Sequence, residues 1–154
     1  MKKVLIALDY NPVAEQIAEV GYDLAKKLNC EVCLIHVVAD LSYYEISYSE
    51  FMGYVPVLPN FEAFQKKEAL RKIGNEMMKH AAEHLKDSNV KTHVAQGNTA
   101  DAILDYANEW NADLIVMGTH SHSTLEKIFL GSVAANLIER TKVPVYLVPV
   151  KRKK

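Results

Sequence analysis

The chain has 154 residues, of which 49% are hydrophobic and 24% charged, as is usual for a globular protein with one hydrophobic core. Its formal net charge of −1 excludes the strong positive field with which proteins attract nucleic acid or anionic membranes. We therefore expect one domain that spans residues 1–154 and that has neither nucleic acid nor a membrane as a partner.

The first predicted element is a buried strand from Lys3 to Leu8. This apolar run is shorter than the ~7–15 residues of a secretory signal, and no run approaches the ~20 residues that span a bilayer. The sequence therefore predicts a cytoplasmic protein. Asn11 and Pro12 then resemble the N-cap and first residue of a helix. The apolar residues that follow at helical spacing are Ile17, Val20, Leu24 and Leu28.

The two cysteines, Cys30 and Cys33, stand at the start of the second predicted strand, Val32 to Val38. The C-x-x-C spacing is used in redox sites whose first cysteine lies at a helix N-terminus. Residues three apart on a strand point to opposite faces, which does not suit such a site. We expect two structural thiols.

The connection from Ala39 to Pro59 is long for a compact domain and is rich in tyrosine. It is either a loop packed by its own aromatic side chains or a lid or partner surface, and the sequence leaves both open. A long helix is predicted from Asn60 onward. Its apolar stripe consists of Leu70, Ile73, Met77, Ala81 and Leu85. His80 and His84 lie one turn apart, but no third ligand is evident, so we expect no metal site.

Strands and helices continue to alternate to the end of the chain. The remaining predicted elements are strand Val90 to Ala95, helix Ala100 to Trp110, strand Asp113 to Met117, helix Ser132 to Arg140 and strand Val143 to Val150. This alternation predicts an α/β fold, a three-layer sandwich around a five-stranded parallel sheet. A doubly wound sheet predicts the strand order 3-2-1-4-5, with a ligand crevice at the carboxyl ends of strands one and four.

Asp9 and Gly118 end the two strands that border this crevice. Gly131 and Ser132 open the last helix, where unpaired N–H groups and the helix dipole favour an anion. The hydroxyl groups of this region belong to Thr119, Ser121 and Ser132. The pattern fits a phosphate cradle, and it also fits a capped helix after an ordinary polar loop. The P-loop, the G-x-G-x-x-G fingerprint and the G-x-S-x-G elbow are absent, so we expect no catalytic residues.

The stretch from Met117 to Ser121, followed by Gly131-Ser132-Val133 and Val143-Pro144-Val145, resembles the signature of the universal stress protein family. Nucleotide-binding members of that family carry the pattern G-x2-G-x9-G-[ST]. The pattern falls here on Gly118, Ser121, Gly131 and Ser132, so serine replaces the second glycine. The resemblance extends to the first strand with Asp9, to His36-Val37 and to Gly97.

This resemblance implies a Rossmann-like domain of the adenine-nucleotide-binding type, which binds ATP or AMP with or without Mg²⁺. Ala7, Asp9 and Val37 would then surround the adenine, and Met117 and Gly118 would contact the ribose side. The residues implied around the phosphates are Thr119, His120, Ser121, Gly131, Ser132 and Val133. The family also implies a homodimer through the last strand, Val143 to Val150, whose apolar edge would otherwise be exposed.

Three functions follow as hypotheses. The first is a nucleotide-binding module of stress response or signalling that hydrolyses ATP slowly or not at all. The second is a dimeric interaction module of the same fold that binds no nucleotide. The third is an enzyme related to ATP-pyrophosphatases, which carry Ser-Gly-Gly after the first strand, where this chain has Asp9-Tyr10-Asn11-Pro12.

Overall fold

Strands and helices alternate in the computed structural model, which describes residues 1–9, 13–39, 61–119 and 130–150, without the side chains of residues 61–65. The elements in these ranges are β1 (Lys3–Ala7), α1 (Ala14–Lys27), β2 (Glu31–Val38), α2 (Phe61–His84), β3 (Lys91–Gln96), α3 (Thr99–Trp110), β4 (Leu114–Gly118), α4 (Ser132–Arg140) and β5 (Val145–Val148). Within the described ranges, no helix is long and apolar enough to cross a membrane.

The five strands form one parallel sheet in the order β3-β2-β1-β4-β5, which confirms the predicted fold class and strand order. The central strand β1 pairs on both sides, with Val4 opposite Val32 of β2 and Leu114 of β4. The chain winds outward from β1 in both directions, so the carboxyl ends of β1 and β4 meet where the winding reverses.

Side chains alternate between two cores, one on each face of the sheet. Val4 and Ile6 of β1 point into the core that α1 and α2 cover, and Leu5 points into the core that α3 and α4 cover. All three side chains are fully buried. A strand buried on both faces is apolar at every position rather than at every second one, which explains the continuous run of aliphatic residues.

The last strand is shorter than predicted because it is bounded by two prolines. β5 comprises Val145–Val148, rather than Val143 to Val150, with Pro144 before it and Pro149 after it. Proline has no N–H to donate to a ladder, so it confines strand pairing to the residues between. The first strand likewise ends at Ala7, one residue before the predicted end.

Two apolar side chains that the helical pattern places on a buried face are exposed. Ile73 is 52% exposed, and Leu28, which follows the last residue of α1, is 42% exposed. The buried line of α2 runs instead through Leu70, Gly74, Met78 and Ala81. Gly74 has no apolar side chain, so the hydrophobic pattern does not reveal that this position is buried. The predicted stripe therefore contains the neighbouring Ile73 instead. After Leu28, Asn29 adopts a φ of 53°, which turns the chain out of the helix.

The two cysteines are free thiols in different surroundings. Cys33 is fully buried on β2, while Cys30 precedes the strand and is partly exposed. Burial raises the pKa of the Cys33 thiol and so disfavours the reactive thiolate, which agrees with a structural role. The predicted helix cap at Asn11-Pro12 and the tyrosine-rich connection after Ala39 lie outside the described residues.

Candidate functional site

A cleft opens at the carboxyl edge of the sheet, between the ends of β1 and β4, which is where the sequence predicts the crevice. Its open volume is about 830 Å³, including the solvent at its mouth. The cleft is open to solvent, so a ligand can reach the ends of both strands from outside.

Nine of the eleven predicted site residues line this single cleft. They are Ala7, Asp9, Val37, Met117, Gly118, Thr119, Gly131, Ser132 and Val133. The other two, His120 and Ser121, lie outside the described residues. The fold thus collects residues from β1, β2, β4 and the start of α4 around one cavity, although they are far apart in the sequence.

His36 forms part of the cleft floor, although the sequence analysis did not assign it a role. Its side chain is 1% exposed, and its Nδ1 lies 2.9 Å from the carbonyl oxygen of Leu8. Because a carbonyl only accepts hydrogen bonds, Nδ1 carries the proton. Burial lowers the pKa of His36, against smaller opposing effects of this hydrogen bond and of the Asp9 charge. The ring is therefore neutral at pH 7.

Thr119 joins the end of β4 to two neighbouring segments. Its N–H donates to the Val148 carbonyl at 3.1 Å, and its carbonyl accepts from the Gly131 N–H at 2.7 Å. Its hydroxyl Oγ1 accepts from the Val150 N–H at 3.3 Å. These bonds fix the start of α4 beside the carboxyl end of β4, at the border of the cleft.

The N-cap of α4 is Gly131 rather than Ser132, which is the first helical residue. Gly131 has a φ of −62° and a ψ of 157°, and among the described residues no side chain caps this helix end. Within the described ranges, the first amide groups of α4 therefore have no side-chain acceptor where they border the cleft. The positive end of the helix dipole adds to the attraction for an anion there.

Gly118 has a packing role that the sequence did not reveal. A Cβ atom at this position would lie 2.7 Å from Cδ1 of Ile17 and 3.0 Å from Cγ2 of Val150. The absence of a side chain lets α1 and the segment after β5 close on the end of β4. The backbone angle of Gly118 does not itself require glycine, because among the described glycines only Gly97 has a positive φ.

Thr99 and Ile103 of α3 also line the cleft and were missed by the sequence analysis. Asn98 caps α3, accepting from the Asp101 N–H at 3.1 Å, and the helix that begins there contributes its first turn to the cleft lining. Asn98-Thr99 is recognisable in the sequence as a helix start, but only the three-dimensional structure shows that this helix end lies beside the cleft. The other lining residues are Leu8, Ile17, Ile35, Ala39 and Ala134.

The two helix histidines take part in separate surface contacts. His84 lies 2.6 Å from Glu19, and this contact raises the pKa of His84. His80 lies 3.9 Å from Glu83. In the parts of the chain that the structure describes, no three histidine, cysteine or acidic side chains are arranged to hold a metal ion.

Comparison with known sequences agrees with these features. The profile of the universal stress protein family matches residues 1–149. The universal stress protein MJ0531 of Methanocaldococcus jannaschii is 33% identical over 154 residues, which cover 99% of this chain and 84% of the relative. The universal stress protein YxiE of Bacillus subtilis is 28% identical, over 95% of this chain and 97% of the relative.

Solved structures share the fold. Protein MJ0577 superposes with a TM-score of 0.75 at 27% identity, over 99% of this chain and 98% of that one. Two more distant proteins have the same fold. They are a universal stress protein in complex with cAMP, with a TM-score of 0.58 at 21% identity, and one from Archaeoglobus fulgidus in complex with dAMP, with a TM-score of 0.57 at 18% identity. Each covers 96% of this chain, and the match spans 96% and 97% of those chains, respectively.

Proposed function

The chain belongs to the universal stress protein family, and on that premise we propose that it binds an adenine nucleotide, ATP or AMP, in the cleft between β1 and β4. One observation carries the proposal: nine residues that the sequence predicts for nucleotide binding line one cleft at the carboxyl ends of β1 and β4. Complexes of other proteins of this fold with cAMP and dAMP give it further support.

The cleft offers different surroundings to the two ends of a nucleotide. Ala7 and Val37 provide an apolar surface beside the Asp9 carboxylate, which suits a base or a ribose that has hydrogen-bond donors. The amides at the start of α4, with the Ser132 hydroxyl, suit phosphate oxygens. The His120 and Ser121 positions belong to the same proposal, as does Mg²⁺ as a companion of the phosphates.

Titration of the nucleotide-free protein with ATP and with AMP, each with and without Mg²⁺, tests this function. We expect saturable heat in isothermal calorimetry and a rise in the melting temperature. At a nucleotide concentration of 100 times Kd, the folded state gains about 2.7 kcal/mol. Chromatography of the supernatant after denaturation would also identify any nucleotide that co-purifies. If millimolar nucleotide produces neither heat nor a thermal shift, the proposal is wrong.

We also propose that the protein acts in the cytoplasm, in stress response or signalling, as one domain that forms a homodimer through β5. β5 is an edge strand, and Tyr146 on it is 44% exposed. Ile138 of α4 is 41% exposed. An apolar edge of this kind favours pairing with a second strand. If the titrations fail while the dimer forms, the alternative function as an interaction module without nucleotide is supported.

Tyr146→Lys is expected to shift the protein from dimer to monomer, because a charged side chain on an edge strand opposes strand pairing. Light scattering coupled to size-exclusion chromatography measures the mass directly. Asn75→Lys adds the same charge at an exposed position on α2, away from β5, and serves as the control. A dimer that persists in Tyr146→Lys would place the interface elsewhere.

A further inference from the structure

We propose that His36 is a positioning residue for nucleotide binding, because it holds the Leu8 carbonyl and thereby sets the direction in which Asp9 enters the cleft. This inference rests on the proposed function and adds to it a residue that would not need to touch the ligand. It follows from the hydrogen bond between His36 and Leu8, from the burial of the ring and from the place of Asp9 next in sequence.

The geometry at the end of β1 supports this role. Ala7, the last residue of the strand, pairs with Ile35 of β2, and the Leu8 N–H donates to the Ile35 carbonyl at 2.9 Å. His36 is the next residue of β2, and its Nδ1–H binds the Leu8 carbonyl at 2.9 Å. Leu8 is thus held at its N–H by the neighbouring backbone and at its carbonyl by a side chain.

Histidine has the properties that this position requires. The donor must reach the Leu8 carbonyl, which lies one residue beyond the end of β1, and it must do so from a side chain that is 1% exposed. A neutral imidazole donates through Nδ1 without placing a charge in the core, whereas a lysine or arginine would bury one.

Asp9 is the residue that this arrangement controls. Of the lining residues that the structure describes, it carries the one carboxylate, and it is half-buried. The peptide that joins Leu8 to Asp9 contains the carbonyl that His36 holds. Binding groups must be held within about 0.5 Å of their working positions to be effective, so release of this carbonyl would reduce the contribution of Asp9.

Two variants separate the hydrogen bond from the volume of the ring. His36→Asn places an amide N–H near the position of Nδ1 and retains the donor, while His36→Leu has a similar width and no donor. We expect His36→Leu to weaken ATP binding by about tenfold and His36→Asn to stay within about threefold of the wild type. If His36→Leu does not fold, His36→Gln, which moves the donor one bond farther out, replaces it.

A double-mutant cycle tests whether the effect passes through Asp9. In an Asp9→Ala background, His36→Leu is expected to cause less than about a twofold further loss of ATP affinity, because the group it positions is gone. An equal loss in both backgrounds would mean that His36 acts on the cleft in general, and it would overturn the proposal. The proposal also fails if His36→Asn binds as weakly as His36→Leu.

A measurement without ligand keeps this inference distinct from the proposed function. We expect the NMR order parameter of the Asp9 amide to fall in His36→Leu and to stay at the wild-type value in His36→Asn. If the wild type binds no nucleotide, the proposed function fails, and these order parameters still decide whether His36 positions Asp9. Identical values in all three proteins would overturn the positioning role.

Discussion

Gly131→Val is expected to abolish nucleotide binding, with a loss of at least about 100-fold in affinity, while the protein stays folded. The φ of −62° and ψ of 157° at Gly131 are allowed for valine, so the backbone conformation itself does not oppose the substitution. The new side chain would stand at the cleft border beside the first amides of α4. If it displaces a phosphate from two charge-assisted hydrogen bonds of about 1.5–3 kcal/mol each, the affinity falls by at least this factor.

Calorimetry of Gly131→Val and of Ala135→Val provides the comparison. Ala135 is exposed on α4 and is not among the residues that line the cleft, so valine there adds bulk to the same helix without reaching the ligand. The Ala135 variant should bind like the wild type. Circular dichroism of both variants verifies that the helices remain intact. Unchanged affinity in Gly131→Val would show that the phosphates lie elsewhere.

Gly21→Val is expected to lower the free energy of unfolding by about 3 kcal/mol, the upper part of the range for overpacked cores. Gly21 lies on the buried face of α1. A Cβ atom there would be 2.7 Å from Cδ1 of Ile6 and 3.2 Å from Cγ1 of Val116, whose side chains are fully buried. The γ-methyl groups of valine would add to this overlap, so α1 would have to move away from the sheet.

Urea unfolding measures this effect against two references. Asp23→Val, at an exposed position of the same helix, reports the cost of valine to helix formation alone, about 0.5 kcal/mol or less. The loss of unfolding free energy in Gly21→Ala should lie between the losses in Gly21→Val and Asp23→Val. The reason is that a gain of up to about 1 kcal/mol in helix propensity opposes the close contact with Ile6. The expectation is wrong if Gly21→Val unfolds at the same urea concentration as Asp23→Val.

The sheet order could be predicted because it follows from features that are visible along the chain. Aliphatic runs alternate with helical patterns, and that alternation leaves few arrangements of a parallel sheet. The ends of the elements were harder to predict. The prolines at 144 and 149 set the limits of β5, although the apolar run continues through them. In α2, Gly74 occupies a buried position that a hydrophobic pattern does not reveal.

The cleft could be predicted only in part, for a related reason. Residues such as Asp9 and Gly118 follow the ends of strands, so the topology itself places them at the border of the crevice. The role of His36 depends on a contact with Leu8, 28 positions earlier, and no local pattern indicates such a pairing. Likewise, the N-cap of α4 is Gly131, whose N–H donates to the Thr119 carbonyl, so the helix begins one residue earlier than it would with Ser132 as its cap.

The two prolines that bound β5 also limit how its open edge can be used. Between Pro144 and Pro149 only four residues, Val145–Val148, form the strand. An incoming chain that slides along this edge would meet a proline, which offers no N–H, at either end. Registers displaced by several residues therefore lose most of their backbone bonds. An edge of this length favours one short pairing in a defined register over the open-ended stacking that leads to fibres.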